Sequence, residues 1–124
     1  MKLKSKLMML VIIFIVFSSI TFADTAQRRF SVGYITANSY IHTTGASANV
    51  SAPAGVYTTM TMEYTHKNIH TGKNTIRTTN DYGTGWRGVS DSAPTNERSV
   101  KQTTYIKSTY GNESWSVELY DKAY

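Results

Sequence analysis

The stretch VYTTMTMEYTHK, residues 56–67, alternates between two kinds of side chain along its whole length. Its even-numbered positions hold Val, Thr, Met, Met, Tyr and His, whereas its odd-numbered positions hold Tyr, Thr, Thr, Glu, Thr and Lys. A repeat of two residues is the period of a β-strand, in which successive side chains point to opposite faces. The stretch therefore predicts a strand with one face in a core and the other in solvent.

Turn residues and further extended segments surround this strand. Residues 71–74, TGKN, have turn chemistry, and residues 74–80 resume extended character, so we expect them to form a long hairpin with residues 56–67. A second hairpin is predicted near the end of the chain, where residues 100–110 and 115–124 flank the turn sequence GNES.

The rest of the composition agrees with an all-β fold. Residues 24–124 are rich in Thr, Tyr, Val and Ile, which favour strands, and they contain a single leucine, Leu119. Residues 28–36, 39–43 and 46–52 are shorter strand candidates. About six to seven short strands in about 100 residues predict one small antiparallel β-sandwich, with an open barrel as the alternative.

Residues 1–23, MKLKSKLMMLVIIFIVFSSITFA, have the pattern of a signal peptide. A cationic start precedes the apolar run of residues 7–17, and Thr21 and Ala23 place small side chains at the −3 and −1 positions of a cleavage site. A membrane anchor is the alternative, but a span needs about 20 apolar residues and serines interrupt this run early. We therefore predict cleavage after Ala23, no membrane span after cleavage, and a single secreted, extracellular domain of residues 24–124.

Charge and cysteine content exclude several function classes. The formal net charge of +5 comes from 13 basic and 8 acidic residues, but three of the lysines are in the leader, so residues 24–124 carry 10 against 8 and a net charge of +2. A small charge without a basic patch does not favour nucleic acid as a partner. The absence of cysteine excludes disulfides, thiolate metal sites and a cysteine nucleophile.

Residues 81–97 contain three glycines, Pro94 and Trp86, and predict the one long loop of the chain. This loop is a candidate binding surface, with Trp86 and Arg87 as contact residues; the alternative is a crossover between two sheets, with Trp86 packed on the core. The stretch GTGWRG, residues 83–88, matches the dinucleotide-binding pattern G-x-G-x-x-G. Because no helix is predicted after it, we interpret this match as a coincidence.

No constellation of residues indicates catalysis or a metal site. We expect His42, His66 and His70 at the surface or rim of the sandwich, since no carboxylate or thiolate is spaced to complete a metal site with them. Glu63 and Glu118 fall on predicted polar faces without a defined partner. We therefore predict a protein that is not an enzyme, has no catalytic residues and needs no metal or cofactor.

Tyrosines are the most suggestive feature of the predicted strands. Tyr57, Tyr105, Tyr120 and Tyr124 have Thr, Lys, Glu or Ser as strand neighbours, so we expect several of them on exposed faces. Exposed aromatic side chains suit stacking on sugars or contact with a membrane interface, whereas ordinary cross-strand packing is the alternative. The candidate binding residues are Trp86, Arg87, Tyr57, Tyr105 and Tyr120.

Three segments together resemble the lactococcin 972 family of secreted bacteriocins. They are SYIH at residues 39–42, followed by a glycine and small polar residues, the TGK turn at residues 71–73, and the aromatic-rich last strand that ends at Tyr124. The resemblance implies a compact sandwich of two antiparallel sheets and an antibacterial role through binding of a cell-wall precursor. This chain is longer than those bacteriocins, and residues 119–124 lack their run of adjacent terminal aromatics.

The leading hypothesis from the sequence is a secreted, non-enzymatic binding module. It would act at a cell surface or on an extracellular partner such as a glycan or a cell-wall component. The alternatives are a lactococcin 972-like toxin and a small secreted hydrolase. Because exposed edge strands of a sandwich can pair between copies, self-association is a further expectation.

Overall fold

Every regular element in the described part of the protein is a β-strand. The computed structural model describes residues 22–123. Its strands are β1 (Phe22–Phe30), β2 (Gly33–His42), β3 (Gly45–Ser51), β4 (Tyr57–Asn68), β5 (Asn74–Thr84), β6 (Arg87–Ser92), β7 (Glu97–Tyr110) and β8 (Glu113–Lys122). They form two antiparallel four-stranded sheets, a first sheet with the order β1-β2-β3-β6 and a second sheet with the order β5-β4-β7-β8. The predicted β-sandwich is confirmed, with eight strands rather than six or seven.

The alternation that predicts β4 is confirmed by the burial of its side chains. The even-numbered residues from Val56 to His66 are all buried, whereas Tyr57 and Glu63 are exposed. The alternation breaks at Thr65, which is buried as well, because the register between β4 and β7 shifts between Thr65 and His66. Since β4 lies between β5 and β7, its even face forms the middle of the core.

Both predicted hairpins are present. β4 and β5 pair antiparallel around the turn at residues 69–73, and β7 and β8 pair antiparallel around the turn at residues 111–112. Gly72 and Gly111 in these turns have positive φ values of 74° and 57°, which glycine adopts without steric cost.

Residues 28–36 belong to two strands and not to the single strand that the sequence predicts. β1 ends at Phe30 and β2 begins at Gly33, so a short turn interrupts the segment. Gly33 has a φ of 136°, a backbone conformation that other residues rarely adopt. The predicted strand at residues 39–43 is the second half of β2, and the one at residues 46–52 corresponds to β3.

The predicted long loop at residues 81–97 is wrong, because this segment contains the end of β5 and the whole of β6. Gly85, with a φ of 77°, lies in the tight turn that carries the chain from the second sheet into the first. Across this turn, Asp81 Oδ2 accepts a hydrogen bond from the Gly88 amide at 3.0 Å. Val89 is the one buried residue of β6, so the strand has no apolar alternation that the sequence could reveal.

The core lies between the two sheets and consists mainly of aliphatic and small side chains. Two carboxylates connect the sheets along the side where β1 meets β8. Asp24 Oδ2 accepts a hydrogen bond from the Tyr120 amide at 3.0 Å. Glu113 Oε1 accepts one from the Ser31 amide at 2.9 Å. The buried apolar residues are Phe30, Ile35, Ala37, Ile41, Ala46, Ala48, Val50, Val56, Met60, Met62, Tyr64, Val89, Ile106, Leu119 and Ala123.

The predicted signal peptide lies almost wholly outside the described residues, which begin after residues 1–21. Phe22 and Ala23 are the first residues of β1, and both pair with β2. The predicted cleavage after Ala23 would therefore shorten an edge strand by two residues and leave the contact of Asp24 with Tyr120 in place. The described part of the chain has no helix of the length and apolarity that a membrane crossing requires.

Candidate functional site

The outer face of the second sheet carries an exposed tyrosine on each of its strands. The pairing register places all of them on one face, because Tyr82 lies opposite Thr59, Tyr105 opposite Thr61, and Tyr120 opposite Thr103. We call this surface the tyrosine face. Its members are Tyr82 on β5, Tyr57 on β4, Tyr105 on β7 and Tyr120 on β8, with exposed fractions of 68, 43, 44 and 50%.

A shallow groove crosses the tyrosine face at Thr59 and Thr61 of β4. Because threonine is shorter than the tyrosines around it, these two residues form the floor. A cavity of about 500 Å³ lies towards β5 and one of about 360 Å³ towards β8, and both include the two threonines. We call the continuous depression the tyrosine groove. Its other lining residues are Tyr57, Met60, Asn80, Asp81 and Tyr82 towards β5, and Tyr105, Ile106, Lys107, Ser116, Val117 and Glu118 towards β8.

The groove offers mainly neutral hydrogen-bonding groups. Thr61 Oγ1 donates a hydrogen bond to Asn80 Oδ1 at 2.8 Å, which orients the Asn80 amide at the groove. The negative charge of Glu63 raises the pKa of the Tyr105 phenol above its ordinary value of 10.0, and desolvation and Glu118 act in the same direction. Tyr105 therefore remains a neutral phenol, able to donate a hydrogen bond, at physiological pH.

Glu63 and Glu118, the carboxylates that a hydrolase would need, lie on the same face but on different strands. β7 separates them, with Glu118 opposite Tyr105 and Glu63 opposite Thr103. At the usual strand spacing and rise, their Cα atoms are roughly 12 Å apart. Glu118 lines the tyrosine groove, whereas Glu63 is not among the residues that line its two cavities. Because a glycosidase holds both carboxyl groups around one cleft, this arrangement does not favour the hydrolase alternative.

Trp86 lies on the opposite side of the sandwich from the tyrosine face. It follows β5, is 62% exposed, and its six-membered ring covers Gly88 on the outer face of the first sheet. A Cβ atom at Gly88 would lie 2.5 Å from Trp86 Cη2, so the absence of a side chain there makes room for the indole. The indole borders a cavity of about 300 Å³ that also touches Ser47, Asn49 and Ser90. The predicted alternative is therefore right that this segment crosses between the two sheets and wrong that Trp86 packs on the core.

The guanidinium group of Arg87 is engaged within the turn between β5 and β6. Its Nε donates to the Trp86 carbonyl oxygen at 2.6 Å, and its Nη1 donates to the Tyr82 carbonyl oxygen at 3.1 Å. Nη1 also lies 3.6 Å from Asp81 Oδ1. These contacts hold the turn together, and with it the position of Tyr82 at the end of β5.

The structure thus divides the predicted binding residues into two groups. The three tyrosines of the prediction share the tyrosine face, whereas Trp86 and Arg87 do not belong to it. Tyr82 and Asn80 are site residues that the sequence prediction does not include. Tyr82 lies beyond residue 80, where the predicted strand ends, and Asn80 is a polar residue within it that has no distinguishing neighbour. Asn80 and Tyr82 are two residues apart, so the two-residue period of the strand continues past residue 80. This spacing is the sequence signal that could have identified Tyr82. Tyr124 lies outside the described residues.

His66 is buried, with 2% of its surface exposed, and the expectation of a surface or rim position is wrong. Its Nδ1 is hydrogen-bonded to Glu97, and its Nε2 accepts a hydrogen bond from Arg77 Nε at 3.3 Å. Arg77 also forms an ion pair with Asp91 at 3.3 Å. His66 thus links β7, β4 and β5 within the second sheet, and the Arg77–Asp91 ion pair connects this sheet to β6 of the first.

The remaining motifs carry no chemistry of their own. Residues 83–88 cross the turn from β5 to β6 and are followed by strand, which confirms that the G-x-G-x-x-G match is a coincidence. His42 and His70 are exposed, as expected. Within residues 22–123, no three His, Asp or Glu side chains are grouped so that they could hold a metal ion.

Comparison with known proteins assigns no family to this chain. It matches no protein-family model, and no curated protein and no solved structure is significantly similar to it. The resemblance to the lactococcin 972 bacteriocins therefore stays a prediction.

Proposed function

We propose that the protein is a secreted, non-enzymatic module that binds a glycan or another cell-wall component in the tyrosine groove. One observation carries this proposal: every strand of the second sheet contributes an exposed tyrosine to the same face, around a floor of threonines. Tyrosine supplies a large contact area at low entropic cost, and its ring stacks on apolar surfaces while its hydroxyl forms hydrogen bonds.

The dimensions and chemistry of the groove favour a short linear chain of sugars. The groove extends from Asn80 on β5 to Ser116 on β8, which spans three strand spacings, roughly 14 Å. Hydroxyl groups of threonine, serine and tyrosine and the amide of Asn80 match the donors and acceptors of a sugar. The open, shallow shape suits recognition of a surface polymer and does not enclose a ligand for chemistry.

Replacing Tyr105 or Tyr82 by alanine is expected to weaken glycan binding about tenfold each, because each removes a stacking platform worth about 1.4 kcal/mol. The measurement is isothermal titration calorimetry of the purified protein with two probes, soluble peptidoglycan fragments and N-acetylglucosamine oligomers. Binding of either probe, weakened by both substitutions, is the expected result.

Tyr40→Ala is the matched control. Tyr40 is 36% exposed and lies on β2, where its neighbours place it on the outer face of the first sheet, so its loss should leave the affinity unchanged. Trp86→Ala, also on that side, is expected to have no effect on the same titration. Unchanged affinity of both tyrosine variants, or a loss confined to Trp86→Ala, would contradict the assignment of the groove.

A toxin that acts on bacterial cell-wall synthesis is the second function we propose, and it is based on the family resemblance. The purified protein is then expected to inhibit the growth of related bacteria, with inhibition reduced in Tyr105→Ala in proportion to its loss of affinity. Growth-inhibition assays on a panel of strains provide the measurement. Unimpaired growth of every strain would exclude the toxin while leaving the binding module intact.

A further inference from the structure

β5 is an edge strand of the second sheet, and no strand of the described residues pairs with its outer edge. With 11 residues it is longer than the other edge strands, β1, β6 and β8, which have 9, 6 and 10. A long edge with unpaired amide and carbonyl groups is a template for another strand. Sheet proteins block such edges with charged side chains, proline or a bulge.

The outer face of β5 has none of these protections. Its outward side chains, at the even positions from Asn74 to Thr84, are Asn, Ile, Thr, Asn, Tyr and Thr, without a charge or a proline. The edge formed by β8 is protected, since Glu118 and Lys122 are exposed on it and Asp24 of β1 binds its Tyr120 amide.

Two apolar side chains on β5 are more exposed than any other large hydrophobic residue of the described chain. Ile76 is 64% exposed and Tyr82 is 68% exposed. Both lie on the outer face, because their partners on β4, Thr65 and Thr59, are odd-numbered residues. Exposed apolar residues in a row on an unpaired strand indicate an interaction surface.

We propose that two copies of this chain pair through β5, antiparallel, with Thr79 of one copy opposite Thr79 of the other. This register overlaps the full length of β5 with itself and makes a continuous eight-stranded sheet. It places Ile76 of each copy opposite Tyr82 of the other, an aliphatic–aromatic cross-strand pair that occurs twice. A two-fold axis through the strand midpoint relates the copies, as in most homodimers.

Charge complementarity supports a second copy over an unrelated extended peptide. The same register places Arg77 of each copy opposite Asp81 of the other, on the inner face of β5. Within its own copy Arg77 already contacts Asp91, and Asp81 already accepts from the Gly88 amide. Both side chains are nevertheless partly exposed, at 43% and 30%, so the new pairing would add a contact of opposite charge to these existing ones. The register that overlaps the full length of β5 therefore also places opposite charges, and apolar side chains, across from each other in the two copies.

The pairing does not depend on the proposed function, although it would bring two tyrosine grooves onto one continuous face. Ile76 of the second copy would then lie beside Tyr82, at the side of the groove that β5 leaves open. Binding of a long polymer would gain from two linked sites on one surface.

The first test measures the mass of the purified protein in solution over a wide range of concentrations by size-exclusion chromatography with light scattering. The wild type is expected to show twice the mass of one chain at high concentration. Ile76→Lys places a charge on the edge, as natural edge strands do, and should weaken dimerisation by at least about tenfold. Val32→Lys is the control, because Val32 is an exposed apolar residue in the turn between β1 and β2.

The second test uses the absence of cysteine in the chain. Under mild oxidation, Thr79→Cys should form a disulfide-linked dimer, because the two Cα atoms would be about 5 Å apart across the pair. Asn80→Cys should not, since residue 80 lies opposite residue 78 and the two cysteines would be roughly 8 Å apart.

A protein that stays monomeric at all concentrations would overturn the proposal, whether or not it captures an extended peptide at β5. A dimer that is unaffected by Ile76→Lys, or one that cross-links through Asn80→Cys and not through Thr79→Cys, would overturn the proposed pairing. Circular dichroism of each variant shows whether it is folded, and if Thr79→Cys does not fold, the Ile76→Lys comparison decides the outcome. Glycan binding by a monomer would leave the proposed function unaffected, so the two proposals fail separately.

Discussion

Replacing Tyr64 by alanine is expected to lower the free energy of unfolding by about 4 kcal/mol. Tyr64 is fully buried in the centre of β4, its ring centroid lies 5.6 Å from that of His66, and its hydroxyl is hydrogen-bonded to Ser99 Oγ at 2.6 Å. Truncation leaves a cavity in the middle of the core and removes the shorter of the two hydrogen bonds of Ser99, which keeps its contact with the Gly45 carbonyl oxygen at 3.4 Å. Since domains of this size are stable by about 5–15 kcal/mol, the variant should lose a large part of its stability and unfold at a clearly lower urea concentration.

Tyr64→Phe separates the contribution of packing from that of the hydrogen bond. It keeps the ring and removes the hydroxyl, so we expect a loss of about 1 kcal/mol. Urea unfolding followed by tyrosine and tryptophan fluorescence gives both values. If Tyr64→Ala is no less stable than Tyr64→Phe, the core does not lie where the structure places it.

Replacing Asp121 by alanine is expected to cost about 3 kcal/mol, because it leaves two buried donors without an acceptor. Asp121 is 4% exposed on β8, and its Oδ2 accepts hydrogen bonds from Ser39 Oγ at 2.6 Å and from Gln102 Nε2 at 2.8 Å. Ser39 belongs to the first sheet and Gln102 to the second, so the carboxylate connects the two halves of the sandwich. Chemical unfolding at neutral pH measures the loss.

The pH dependence of the free energy of unfolding shows whether burial or hydrogen bonding has the larger effect on the pKa of Asp121. Burial raises the pKa of this carboxyl above its ordinary value of 3.8, against the lowering effect of its two hydrogen bonds. The folded protein therefore holds this proton to a higher pH than the unfolded chain does. The stabilisation from this group is largest below the unfolded pKa and is lost as the pH rises through the raised folded pKa.

Asp121→Asn keeps an oxygen acceptor and removes the titration. We therefore expect the free energy of unfolding of the wild type to fall relative to that of this variant as the pH rises from about 3 through the raised pKa of folded Asp121. Above that pKa, the difference between the two proteins should be constant. Urea unfolding of both proteins over a series of pH values measures this difference. A wild type that gains stability relative to Asp121→Asn with rising pH would show that the pKa is lowered and that hydrogen bonding dominates burial.

Much of the fold is predictable because the alternation along a strand is a local property. The period of two in β4 assigns Met60, Met62 and Tyr64 to the core without knowledge of the neighbouring strands. Glycine-containing turns after β4 and β7 predict both hairpins for the same reason. β6 escapes prediction because it has one buried residue. The first two strands merge in the sequence analysis because Gly33 is the one strong turn residue in FSVG and a lone glycine also occurs within strands.

The candidate site is predictable in part. Tyr57, Tyr105 and Tyr120 are recognisable as exposed from their strand neighbours alone. These tyrosines share one face of one sheet because the strands pair in the order β5-β4-β7-β8. This order depends on pairing between segments that are distant in the sequence. Tyr82 joins them only because β5 continues beyond residue 80.

The sequence by itself determined the all-β class, the faces of the strongly alternating strands and the two hairpins. Each of these follows from residues that are close together along the chain. Only the tertiary structure decided the strand order, the burial of His66 and Asp121, and the separation of Trp86 from the tyrosine face. These features depend on hydrogen bonds and packing between segments far apart in sequence, such as Ser39 with Asp121, and the free energy of such contacts exists only when the chain is folded.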